Sequence, residues 1–475
     1  MSSASSPSPC VRCLAIPGRP YAWCRRPSLP WAAACRLFPG STTVKNVCGR
    51  KGSPLRRLRL LPSARRTKAM TAARYVVNEI KGYHRFVKFL IALVVIAALA
   101  SLVRFVFGLG ATTNLDDTYP WGLWISFDVV TAVPLAAGAF TLGAIVHCFN
   151  IKKLEPLVRP AIVTGFLGYS LVCVGLLLDL GQPHKGWHVL RYWNLHSPMF
   201  EVSMCVMAYT TVLFLEFLSP VAEKFGWHVP LRVLRWLEMP LVILAAAIST
   251  LHQSSLGTFF LIAVDKLHNL WYNPLLPLLF WVSAICTGMC IIILEATASH
   301  KWMGQPNEGV LLRTLAQILP WTLGFYIALR IYSLLALSEG PFFDRPGLTL
   351  SFILEFGVGF ILPFILLTLK SVREDDRSRA IAAGLVIFGL VLNRFNVSMI
   401  GMMDPNNIYL PSIIETLVTL GIIAAHILFF VLIAKYFPIF EHHPETVDYS
   451  LPDTFRRIDG TKTDGAGEAV SSSGH

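Results

Sequence analysis

The stretch "PLVILAAAISTLHQSSLGTFFLIA", residues 240–263, decides how the chain is read. It runs without Asp, Glu, Lys or Arg for longer than the roughly 20 residues that carry a helix across a bilayer. Its middle nevertheless holds Ser249, Thr250, His252, Gln253, Ser254 and Ser255. In water such a cluster would suit a polar turn. In hydrocarbon the backbone must satisfy its own hydrogen bonds, so the segment stays helical and turns its polar side chains toward protein. An imidazole and an amide at that depth are costly without partners, and they mark a pathway or a site.

The rest of the chain chooses the solvent. Over 475 residues, 54% are hydrophobic, only 15% are charged and the mean hydropathy is +0.57, which is too apolar for an ordinary soluble domain. The chain reads as an all-α integral membrane protein. Its formal charge of +13 suggests nucleic acid, but residues 1–69 hold 14 Lys and Arg and no acid, which leaves the remainder near neutrality. The basicity belongs to that leading segment and gives no nucleic-acid partner. Residues 1–69 read as a disordered extension or translated upstream sequence, with Met70 as the working start. Five of the ten cysteines lie there; the pair Cys10 and Cys13 has no second pair of zinc type, so no metal site is expected.

From Arg85 onward ten apolar runs are long enough to span: 86–109, 121–148, 157–179, 197–218, 237–263, 275–297, 311–336, 348–369, 380–402 and 411–436. Alternate connections hold 12 and 4 Lys and Arg, so the positive-inside rule puts both termini in the cytoplasm. The short loops leave room for one membrane domain, residues 70–436. A polar tail, 437–475, comes after it and reads as disordered.

Given that orientation, Asp128, Asp179, Glu201, His252 and Gln253 fall toward the outer side, as do Arg330, Glu355, Asn393, Arg394 and Glu415. Arg330 or Arg394 could pair with Glu355 or Glu415 for packing alone. Asp128, Asp179, Glu201 and His252 have few basic neighbours in span order and suit proton exchange. Aromatics rim the outer ends in "YPWGLW" (119–124), "WHVLRYW" (187–193) and "LWYNP" (270–274). They read as interface belt residues and equally suit the entrance of a flat apolar ring. A quinone fits the combination, since its carbonyls need donors, its reduced hydroxyls need acceptors, and its tail lies in lipid. Ser254, Ser255 and Gly257 suit close approach of a neighbouring helix.

The segments "YPWGLWISFD" (119–128), "LLLDLGQP" (176–183), "SPMFE" (197–201), "LHQSSLG" (251–257) and "LWYNPLLPLLF" (270–280) together resemble membrane subunits of the NrfD or polysulfide-reductase family. The likeness is to its ten-helix, HybB-like branch, the membrane subunit of nickel-iron hydrogenases, and runs from about residue 75 to 440. The resemblance implies two helical bundles in a bacterial inner membrane. It also implies a quinone-binding subunit without haem or metal of its own, serving a periplasm-facing, ferredoxin-like iron–sulfur subunit and a catalytic subunit: a hydrogenase, a molybdoenzyme or a multihaem cytochrome. The implied quinone site falls on Asp128, Glu201, His252 and Gln253. Arg330, Glu355, Arg394 and Glu415 resemble the second bundle, a proposed proton path in some members. Two rivals stand beside this reading. A b-type haem anchor needs paired axial histidines, and His147, His252 and His426 offer no helix-spaced pair. A proton-coupled transporter would show broken helices and repeat symmetry.

Overall fold

The computed structural model describes residues 63–440, apart from 120, 265, 306–307, 339–340 and 405–406, and only the backbone of 63–84. Most of the basic leading segment and of the polar tail lies outside the described residues. The described segments are helical, with no strand among them. Nine stretches are long and apolar enough to cross a membrane: Arg85–Phe107, Trp124–Cys148, Lys152–Asp179, Pro198–Phe225, Leu276–Met303, Gly309–Leu337, Pro346–Thr368, Asp376–Met402 and Ile413–Tyr436. All but the last two residues of the segment quoted at the outset lie within a further helix, His228–Leu261, of 34 residues. In chain order these are α1, which begins at Ser63, α2 (Trp124–Cys148), α3 (Lys152–Asp179), α4 (Pro198–Phe225), α5 (His228–Leu261), α6 (Leu276–Met303), α7 (Gly309–Leu337), α8 (Pro346–Thr368), α9 (Asp376–Met402) and α10 (Ile413–Tyr436).

Helices α2 to α5 pack on one another, as do α6 to α9, and α6 touches both sets through α2 and α5 on one side and α7 and α9 on the other. The long α1 pairs with α10, which leans on α3 and α2. The most apolar window of α2 is 83% buried and that of α1 only 11%, so α2 lies at the centre and α1 faces lipid. Small residues set the closest crossings, as expected where lipid is as apolar as the side chains and helices gain only from tight packing. A Cβ on Gly421 of α10 would stand 2.0 Å from Ala97 Cβ, and one on Gly257 of α5 would stand 2.5 Å from Pro277 Cα. The expected close approach at Gly257 is therefore against α6.

Several spans are not uniform α-helix. α2 holds π-helical turns at Trp124–Val129 and Ala144–Cys148, and α8 holds one over Ile353–Ile361. Such widened turns insert a residue into the i→i−4 ladder and often sit at functional positions. Asp128 and Glu355 both fall in them.

Candidate functional site

The quoted stretch of α5 turns its polar residues inward. His252 and Gln253 are fully buried, and neither ring nitrogen of His252 nor either amide atom of Gln253 has a hydrogen-bond partner among the described residues. The imidazole packs against Tyr169 of α3, with ring centroids 5.8 Å apart, and Tyr169 meets Tyr209 of α4 edge-on at 4.5 Å. Both phenol hydroxyls lie beside the buried Ser249 hydroxyl. Buried polar atoms are almost always satisfied by protein or ordered water. Tyr169, Tyr209, Ser249 and His252, from three helices, thus adjoin one another inside the first bundle, with the polar atoms of His252 and Gln253 left unpaired among the described residues. Tyr169 stands midway along the helix Val158–Asp179.

A second tier lies closer to the end of α3 at Asp179. Asp128 is buried; its Oδ2 accepts from Thr419 Oγ1 of α10 at 2.8 Å, while Oδ1 has no partner. Gly175 passes beside it, where a Cβ would be 3.0 Å from that of Asp128. Six residues separate Tyr169 from Gly175, a rise of about 9 Å. Asp179 ends α3, partly exposed. There Arg104 of α1, itself buried, donates from Nε to Leu178 O at 2.6 Å and from Nη2 to Leu180 O at 2.5 Å. A cation against the last carbonyls of a helix is favoured by their partial negative charge. Glu201 lies apart, partly exposed in the first turn of α4 behind the Ser197 cap. The five expected site residues thus occupy two buried tiers and a rim rather than one point.

The second group separates as well. Glu355 of α8 is enclosed by donors: Trp271 Nε1 and Asn396 Nδ2 reach Oε2 at 2.7 Å each, Asn393 Nδ2 reaches Oε1 at 2.8 Å, and Arg330 Nη2 stands 4.0 Å from Oε1. Arg394 bonds Asn393 Oδ1 and Ser283 Oγ, with its guanidinium 3.5 Å over the Phe280 ring. Arg330 donates to Leu270 O at 2.9 Å. This network fastens the α5–α6 loop to α7, α8 and α9. Glu415 is elsewhere. It closes a capping box with Ser412 at the start of α10 and accepts from Tyr409 Oη, which in turn accepts from Leu123 N in the approach to α2. It belongs with the Asp128 tier.

Outside the spans, His268 Nδ1 accepts from Leu270 N at 3.2 Å, which leaves Nε2 to donate to Asp344 Oδ1 at 2.8 Å. That hydrogen bond holds the Asp344 carboxyl below its ordinary range, and the contact clasps the α5–α6 loop to the α7–α8 loop.

Sequence reasoning passed over Tyr169, Tyr209 and Arg104, and also the acids nearer the other end of the spans. Glu295 of α6 accepts from Thr164 Oγ1 at 2.5 Å and keeps Oε1 enclosed without a partner. With Glu308 it lines a cavity of about 10 Å³ between α3 and α6, room for about one water. Burial pushes the Glu308 carboxyl up to about 7. The signal that could have found Glu295 is its place two turns before the end of α6, too deep for a solvated rim residue.

Fold and site together define an all-helical integral membrane protein with titratable groups sealed in its core. The family model "Polysulphide reductase, NrfD" matches residues 111–406, and the chain belongs to the NrfD family. A protein of Nitratidesulfovibrio vulgaris is 34% identical over 75% of this chain and 94% of its own length. The "Probable Ni/Fe-hydrogenase 2 b-type cytochrome subunit" of Escherichia coli is 30% identical over 73% of this chain and 90% of its own. The "Menaquinone reductase, integral membrane subunit" of Nitratidesulfovibrio vulgaris is 27% identical over 71% and 87%. The likeness to the HybB-like branch read from five short segments holds across the membrane domain, and two of these relatives are described as subunits of a Ni/Fe-hydrogenase and of a menaquinone reductase.

Proposed function

We propose that this chain is the quinone-interacting membrane subunit of a respiratory oxidoreductase complex. It would cross a bacterial cytoplasmic membrane ten times, with α5 as the fifth crossing and both termini inside. Electrons would pass between the quinone pool and an iron–sulfur partner on the outer side, which serves a separate catalytic subunit. The relative described as a menaquinone reductase subunit supports the substrate class. The observation that carries the reading is the set of enclosed, unpartnered polar atoms on Asp128, His252 and Gln253.

Interconversion of a quinone and its quinol moves two electrons and two protons, so the protein must offer hydrogen bonds to two ring oxygens and hold protons beside them. Gln253 offers a donor and an acceptor, and His252 offers one of each in its neutral form. Asp128 has one carboxylate oxygen fixed by Thr419 and one available for a proton. Tyr169, Tyr209 and Ser249 add hydroxyls to the inner tier, while Asp179 and Glu201 stand at the rim as exchange groups with the outer water. Glu355 is committed to three donors, so its network with Arg330 and Arg394 is assigned to holding the loop rather than to carrying protons. In this reading Glu415 caps α10.

The cytochrome named in one relative raises a haem reading. His252 packs on Tyr169, whereas His426 approaches α3 at Gly168, whose built Cβ would be 3.8 Å from His426 Cε1 and 2.7 Å from Ala136 Cβ. The two imidazoles meet different faces of α3 where α2 is already in contact, a poor fit for an axial pair. A photoreactive quinone analogue tests the substrate assignment. Labelled peptides should come from the α2 stretch around Asp128 or the α5 stretch around His252. Labelling confined to α7–α9 overturns it.

A further inference from the structure

The connection between α3 and α4 stands off the bundle. Its 3₁₀ helix, Pro183–Leu190, has no buried residue, and every residue from Leu190 to His196 is at least partly exposed. Trp187 is 58% exposed, Tyr192 66%, Trp193 64% and Leu195 75%. A patch this apolar does not face water without a covering partner.

Two observations say what covers it. The first is depth. α4 has 28 residues between this segment and Trp227, about 42 Å at the α-helical rise. That matches the roughly 40–45 Å of a bilayer including its headgroup layers. Trp227 and Trp236, exposed at the other end, mark the opposite layer. Exposed Val174 and Leu177 on α3, with Leu180 just past its end, form an apolar stripe that leads up into the segment. The second observation is charge. Between Asp179 and Glu201 there is no acid, while Lys185 and Arg191 are fixed cations beside His184, His188 and His196. Lys185 and Arg191 are exposed, and Arg191 lies 5.8 Å from the Tyr192 ring centroid. Aromatic side chains at headgroup depth, interleaved with basic ones, fit phosphate above and acyl chain below.

We infer that residues 183–195 form an in-plane strap that lies in the headgroup layer and binds anionic phospholipid through Lys185 and Arg191, with Trp187, Tyr192 and Trp193 as its wedges. The strap ties the α3–α4 end to the membrane plane, independently of the quinone reading.

The full chain in nanodiscs, with a nitroxide spin label on the lipid headgroup, provides the test. The tryptophan emission lost in W187F and W193F should be the emission most strongly quenched by that label. Phosphatidylglycerol should increase its quenching over phosphatidylcholine alone, and K185Q/R191Q should lose on the order of tenfold of that anionic preference. α-Helical content equal to wild type by circular dichroism keeps the variants interpretable. The inference is overturned if these two tryptophans are quenched by aqueous iodide and not by the headgroup label, or if only an added soluble redox partner shields them.

Discussion

A carboxylate buried in a helical bundle has two different uses, and Glu355 and Asp128 show both. Glu355 spends both oxygens on Trp271, Asn393 and Asn396 and has Arg330 at 4.0 Å. Removing one member of such a set strands the others in a low-dielectric interior, at a cost of about 3–5 kcal/mol. Glu355→Ala should therefore lower the thermal unfolding midpoint of the purified protein by several degrees; an unchanged midpoint contradicts the structural assignment. Glu308, outside the spans, titrates in a useful window. Its folded value of about 7 lies above an unfolded value near 4.3, so between these the folded chain keeps a proton that the unfolded chain has released. Stability from this group is present below about pH 4 and is lost progressively as pH rises to about 7. Glu308→Gln should thus gain in unfolding midpoint relative to wild type from pH 4.5 to 7.5, and a constant difference contradicts the burial of this carboxyl. Asp128 and Glu355 were legible as acids inside apolar runs. Tyr169 and Tyr209 were not, because a phenol fits an apolar window and its hydroxyl matters only once three helices enclose it. The capping box at Ser412 and Glu415 was readable as a serine with a glutamate three residues later, but the apolar run around it drew attention to depth instead.

At the scale of elements, apolar run length placed a helix at each of the nine candidate spans, because lipid imposes a similar length on every crossing. The run at 237–263 falls largely on α5, which is not among the nine. The π-helical turns were invisible to a 3.6-residue pattern, since a single inserted residue alters register without altering composition. Their effect is to rotate the remainder of the helix about its axis. Asp128 reaches Thr419 from within such a turn. Contacts between helices were only partly legible. Gly257 was read as a close approach and meets Pro277, while Gly421 gave no sequence signal although it sits against Ala97. Gly421→Val would drive methyl groups into that crossing. It should cost about 1–3 kcal/mol, read as a lower unfolding midpoint, with Ala97→Gly partly restoring it. No loss in Gly421→Val contradicts the α1–α10 pairing.

At the scale of the molecule, a central α2 is touched by both helix sets and by α10, and the two polar tiers lie among α2, α3, α4, α5 and α10. In the proposed function, electrons exchanged with a partner at one end and protons held in the core meet without either crossing open lipid. The account depends on Asp128 and His252 as proton-exchanging groups beside a quinone, and turnover tests that most directly. Quinone-linked electron transfer is measured in membranes containing the complete complex, with subunit content checked for each variant. Asp128→Asn and His252→Ala should each lower the rate by about 100-fold or more, the scale of a lost general acid–base group, while the complex still assembles. Wild-type rates in both variants would contradict the account.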